Sequence, residues 1–280
     1  MARDRQARGA RQGSCAVVGA AILAVLAASA AQAAAPRVLS LDQCADQYLL
    51  ALSPRRAIVG LSPRADDADS LLRGQAGGLP RRRGGLESIL AARPQVVVRY
   101  WGGDPRLTAA LQARGVDVVT INEAADFPAV RADIRRVAAH LGQGEAGEAL
   151  VAQMDVRLAR AAGAWRGKRA IYLTPAGATA GPGTLMDAVL RAAGLRNAVA
   201  RPGYGMLSLE TLALDPPDAA VLGFFDTFQL AGDSWGPGGH RILRKLAAER
   251  AIASLPGAML SCPSWAAAQA VEKLAAAAPR

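Results

Sequence analysis

Histidine is nearly absent: the 280 residues include two. No three-imidazole cage can form from two, which argues against direct capture of bare zinc. His140 falls in a helical stretch and His240 beside a helix start, both places where a structural role is enough. The chain has no H-E-x-x-H pair, G-x-x-x-x-G-K-[ST] loop or C-x-x-C pair. Zincin chemistry, Walker-type phosphate binding and thioredoxin redox therefore lose their usual anchors. Cysteines number three, and Cys44 has no nearby basic partner to activate it as a nucleophile. Beyond residue 33 no apolar run approaches the roughly 20 residues that span a bilayer.

What is present begins with a leader. Arg3, Arg5, Arg8 and Arg11 precede an apolar run from Cys15 to Ala30, and Ala31-Gln32-Ala33 is a small-x-small cleavage pattern. Residues 1–33 read as an export signal, leaving a soluble periplasmic chain. Without the leader's four arginines and one aspartate, 33 basic and 23 acidic side chains become 29 and 22, a net +7. These charges are spread along helical faces, so nucleic acid is not an expected partner. Cys44 and Cys262 are the cysteines left, and an oxidising compartment permits a disulfide between them.

Short apolar runs then alternate with amphipathic stretches. Strands are expected over 37–41, 57–61, 95–98 and 116–121, with helices over 44–52, 86–92 and 105–113. Pro94 stops the second of these helices, and Asp104-Pro105 opens the third. A helix over 127–141 and a second one running to about 164 follow, the latter long enough to act as a spine. The alternation restarts with strands over 170–173, 219–223 and 258–260 and helices over 185–193, 209–214, 239–249 and from 266. The expected fold is α/β: two lobes with parallel-type sheets, over 36–125 and 166–280, joined by a helical spine over 126–165, with a ligand cleft between them.

One segment occurs twice. Leu86-Glu87 is followed by Pro94 and Val98, and Leu209-Glu210 by Pro217 and Val221, at the same spacings. A short helix, a proline stop and a buried strand thus recur on each side of the spine, as expected of duplicated lobes.

Binding signals cluster at strand ends, where open parallel sheets hold ligands. Tyr100 and Trp101 follow one strand, Phe224 and Phe225 another, Trp265 follows the expected strand at 258–260, and Tyr204 sits in a glycine-flanked loop. Together they suggest a flat-sided binding wall. Arg64, Arg81 and Arg99 occupy comparable places, where a guanidinium facing a closed cleft needs a counter-charge and an exposed one does not. The glycine-rich stretch 175–184 is either an anion cradle or a tight connection.

The leader, Arg37-Val38-Leu39-Ser40-Leu41, Ile58-Val59-Gly60-Leu61-Ser62, the two Leu-Glu segments and the Gly-Pro-Gly-Thr loop at 181–184 together resemble the periplasmic binding proteins of ABC importers for iron-siderophores and vitamin B12. The resemblance implies a non-enzymatic, monomeric receptor without a resident cofactor. It would capture a metal chelate (ferric siderophore, haem or cobalamin-like) and deliver it to a membrane permease and its ATPase. It makes Glu87 and Glu210 the paired acidic residues that dock on the permease, and it places Tyr100, Trp101 and Tyr204 in the cleft. Arg64 and Arg81 stand where B12 binders of this family carry aromatics, which favours an anionic chelate. Two readings compete: an exported enzyme using Asp42, Asp46, Asp66 or Asp226, and a ligand-free interaction protein.

Overall fold

A computed structural model describes residues 35–227 and 240–279. The expected leader lies outside the described residues.

Two four-stranded sheets carry the fold, each with every pair parallel. The first is built from β1 (Val38–Ser40), β2 (Ile58–Gly60), β3 (Val96–Tyr100) and β4 (Asp117–Ile121), in the order β2-β1-β3-β4. Val96, Val97 and Val98 are buried, as a strand covered on both faces requires. Helix α1 (Gln43–Leu52) starts at Asp42, whose side chain accepts from the Ala45 N–H, and it buries Ala45, Tyr48, Leu49 and Leu52. Helices α2 (Leu86–Ala91) and α3 (Pro105–Gln112) cover the other face through Ile89 and Leu111, which pack with Leu39 and Val97. Asp104 caps α3, and Pro105 opens it, as the sequence predicts.

Helices α4 (Phe127–His140) and α5 (Gly144–Ala161) then connect the sheets. With 18 residues α5 spans about 27 Å, ending three residues short of the expected 164. The second sheet contains β5 (Arg169–Leu173), β7 (Arg196–Asn197), β9 (Ala219–Gly223) and β10 (Ala251–Leu255), in the order β10-β9-β5-β7. Read in chain order, both sheets follow the same scheme: second strand, first, third, fourth. The repeated Leu-Glu segment precedes the third strand in each, so the repeat has a topological counterpart.

A small antiparallel pair, β6 (Ala178–Ala180) with β8 (Tyr204–Met206), lies outside both sheets. It settles the glycine-rich stretch as a tight connection, because a Cβ at Gly181 would stand 1.8 Å from the Arg201 carbonyl oxygen. Helix α6 (Leu185–Ala192) covers one face of the second sheet, and α7 (Leu209–Leu214) with α8 (Arg241–Arg250) covers the other. The strand expected over 258–260 is instead α9 (Gly257–Leu260), started by Pro256, and the strand is β10 just before it. The expected start of α8 at 239 lies outside the described residues; His240 is its N-cap.

The last helix, α10 (Ala266–Ala276), returns to pack on α5 and α6. The Trp165 indole N–H donates to the Leu274 carbonyl at 2.8 Å, fixing that return. One continuous core runs from α1 and α4 through α5 to α6 and α10.

Candidate functional site

The carboxyl ends of β1 and β3 open where the strand order reverses, the usual place for a ligand in an open sheet. A cavity of about 660 Å³ lies there, lined by Asp42, Gln43, Arg64, Arg99, Tyr100 and Trp101 among others. A second, of about 260 Å³, is lined by Tyr100 and Glu123 from the first half of the chain and by Tyr172, Met186, Tyr204 and Phe224 from the second. Tyr100 and Ser261 border both. The structure joins Cys44 to Cys262, with Cα atoms 5.3 Å apart, and each cavity wall receives one of the two cysteines.

Aromatic groups shape the opening. Tyr100 and Trp101 meet edge to face at 6.0 Å between centroids. Both donate to Glu123 Oε2, the indole N–H at 2.5 Å and the phenol in a short hydrogen bond. Burial pushes the Tyr100 phenol well above its usual range, and the bond to Glu123 adds to this. Tyr204 and Tyr172 are raised by burial as well, so all three phenols keep their protons at neutral pH. Trp101 and Tyr204 are more than half exposed, leaving their ring faces open to a ligand.

Below the cavity the first turn of α1 holds the strand ends in place. Asp42 accepts from the Tyr100 N–H at 2.6 Å. Asp46, fully buried, accepts from Ser62 N–H at 2.8 Å, from the Ser62 hydroxyl at 2.5 Å and from the Ser40 hydroxyl. Burial pushes Asp46 up to about 6 and is only partly offset by these hydrogen bonds. With its pKa raised on folding, Asp46 binds its proton more tightly in the native state, so its contribution to stability falls as pH rises from about 4 to 6. Between pH 3.8 and 7 the wild type should lose about 3 kcal/mol more stability than Asp46→Asn, measured by urea unfolding at both pH values. Parallel pH profiles for the two proteins would refute this.

Several expected site residues lie elsewhere. Arg64 does line the larger cavity, but its guanidinium already pairs with Asp67 at 2.8 Å and Asp69 at 3.3 Å. Arg81 lies outside the linings of both cavities: it donates to the Ala76 and Leu79 carbonyls and pairs with Asp66 at 3.4 Å. Neither arginine therefore lacks a counter-charge. Trp265 is buried against Tyr48, edge to face at 5.1 Å, because it opens α10 instead of following a strand. Phe225 lies outside both cavities, and its neighbour Phe224 takes the wall position. Glu87 and Glu210 are exposed in the first turns of α2 and α7.

Glu123, Gln43 and Tyr172 went unnoticed in the sequence. Glu123 follows β4 by two residues, so the strand-end rule that selected Tyr100 applies to it equally.

The sequence pattern of the periplasmic binding protein family matches residues 38–223. The chain belongs to that family. Among solved structures, the periplasmic heme-binding protein BhuT in complex with two hemes is 26% identical, with a TM-score of 0.66 over 86% of this chain and 98% of its own. Heme-binding RhuT from Roseiflexus sp. RS-1 is 25% identical, with a TM-score of 0.67 over 87% and 97%. The vitamin B12 binding protein BtuF of Vibrio cholerae shares the fold at 18% identity and a TM-score of 0.62, over 87% and 96%. No curated protein matches the chain. Periplasmic binding proteins of this ABC-importer type bind solutes and are not enzymes, so the enzymatic reading of Asp42, Asp46, Asp66 and Asp226 is set aside. Among the described residues no helix is long and apolar enough to cross a membrane.

Proposed function

We propose that this periplasmic binding protein is exported by its leader, captures a metal chelate with acidic arms, and hands it to the permease of an ABC importer. Haem is the first ligand to test, ahead of ferric siderophores and cobalamins. The observation that carries this reading is the aromatic wall of the cleft, with Tyr100 and Trp101 on one side and Tyr204, Tyr172 and Phe224 on the other. Flat, polarisable faces suit a macrocycle that must be gripped without covalent chemistry. BhuT and RhuT, at 26% and 25% identity, are heme-binding proteins, which supports haem over the corrinoid of the 18% identical BtuF. Tyr100, Trp101 and Tyr204 would stack on the ring, with Arg64 at the rim. Glu87 and Glu210 would dock on the permease, and lobe motion would be small because helices join the halves and a disulfide ties them.

Titrating haemin into the purified protein should give a saturable change in the haem absorbance with quenching of tryptophan fluorescence. A hundredfold excess over Kd should stabilise the fold by about 2.7 kcal/mol. If haemin, ferric siderophores and cobalamin all leave both spectrum and melting temperature unchanged, the carrier reading is wrong.

A further inference from the structure

Arg64 and Arg81 are held in ion pairs, but Arg99 is not. It lies on β3 and lines the larger cavity, donating through Nε to the Tyr100 carbonyl at 3.1 Å and through Nη1 to the Thr108 hydroxyl at 2.6 Å. Among the described residues no carboxylate forms an ion pair with it, and Nη2 makes no hydrogen bond. A Cβ at position 103 would stand 2.8 Å from that Nη2. The residue there is glycine, at a φ of 71° that L side chains rarely adopt. The glycine therefore lets the guanidinium pack directly against the turn, which fixes the position of Nη2 at the cavity wall.

Gln43 shares this cavity wall. It is 5% exposed, and its amide nitrogen is buried with no hydrogen-bond partner. An unpaired buried donor destabilises a fold unless something else supplies the acceptor. The wall's own carboxylates are committed elsewhere. Asp42 feels the Arg99 charge without pairing with it and accepts from the Tyr100 and Ala45 N–H groups at 2.6 and 2.9 Å, and Asp104 accepts from the Arg106 N–H at 2.8 Å.

We propose that Arg99 and Gln43 form the subsite that receives a carboxylate arm of the ligand, with Gly103 holding the guanidinium in place and Trp101 beside it. The assignment rests on the chelate-carrier reading above and locates its charge recognition. An arriving carboxylate completes the guanidinium fork and gives the amide an acceptor. A ligand with esterified arms leaves the guanidinium desolvated without its counter-charge and is rejected for that reason.

Haemin and haemin dimethyl ester, which share the ring and differ in the charge of the arms, test this. The purified protein should bind haemin about tenfold tighter than the ester, and Arg99→Gln should bring the ratio close to one. Gln43→Leu should weaken haemin binding about tenfold while leaving the ligand-free melting temperature unchanged or raised, since it removes an unpaired amide. A residue that only packs would instead lower the melting temperature and affect both haems alike. Equal affinity of the unaltered protein for the two haems, or a preference that survives in both variants, overturns the subsite and leaves the carrier reading standing. If the unaltered protein binds neither, the haem reading and the subsite fail together.

Discussion

Replacing Cys44 and Cys262 together by alanine should lower the melting temperature by roughly 10 °C. The bond closes a loop of 218 residues, for which the chain-entropy account gives about 5 kcal/mol, and measured losses run to about 2–5 kcal/mol. A domain of this size loses about 2–4 °C per kcal/mol. Other contacts cross the same seam and soften the loss. Ser264 donates to Gln47 at 3.2 Å, Ser261 to Asp69 at 3.2 Å, and Tyr48 packs on Trp265. Alanine is preferred to serine because both sites are buried and a hydroxyl there would need a partner. Melting in the presence of dithiothreitol should reproduce the variant. A shift below about 2 °C in both experiments would show that the cross-seam contacts suffice without the bond.

Reversing the two carboxylates proposed to dock on the permease, Glu87→Lys with Glu210→Lys, should reduce uptake in intact cells about tenfold or more while leaving the ligand Kd within about twofold. Both side chains are exposed, both sit in the first turn of a six-residue helix, and both helices precede the third strand of a sheet with the same topology. Such a matched pair, held on one body, suits a partner that must be met in a single orientation. Rim charges of this kind set encounter and register more than affinity, and two lysines would turn attraction to a basic partner surface into repulsion. Neither carboxylate lines either cavity, so ligand binding has no reason to change. Undiminished uptake with the double variant would remove these residues from the permease contact.

Much of the fold was legible because local chemistry and topology agree. Asp104-Pro105 marks a helix start wherever it falls in the chain, and Val96 to Val98 can only be a strand covered on both sides. The Leu-Glu repeat carried the duplication, and the shared strand order is its structural form. Where the reading failed, tertiary contacts made the decision. The segment Ala251–Leu255 follows a helix without a glycine break and contains one β-branched residue, yet it pairs along β9 as an edge strand. Missing it moved the expected strand to 258–260 and put Trp265 in the cleft instead of the core. The strand-end rule singled out Tyr100 and Trp101, and a glycine-flanked loop Tyr204, all three of which line the cavities, but neither signal can tell which arginines find acidic neighbours. Asp66, Asp67 and Asp69 lie within a few residues of Arg64, yet which of them turn toward Arg64 and which toward Arg81 depends on the turns between β2 and α2.

The return of α10 onto α5 also orders events during synthesis. The first sheet is complete once residue 121 has emerged, but α5 keeps part of its apolar surface open until Ala266–Ala276 arrives. Cys44 waits through the same interval, and no other cysteine lies between it and Cys262 to offer a wrong partner. The segment from Cys262 to Ala276 thus covers the central helix and presents the second thiol together, so a chain cut short before it would be left with an open seam and an unpaired cysteine.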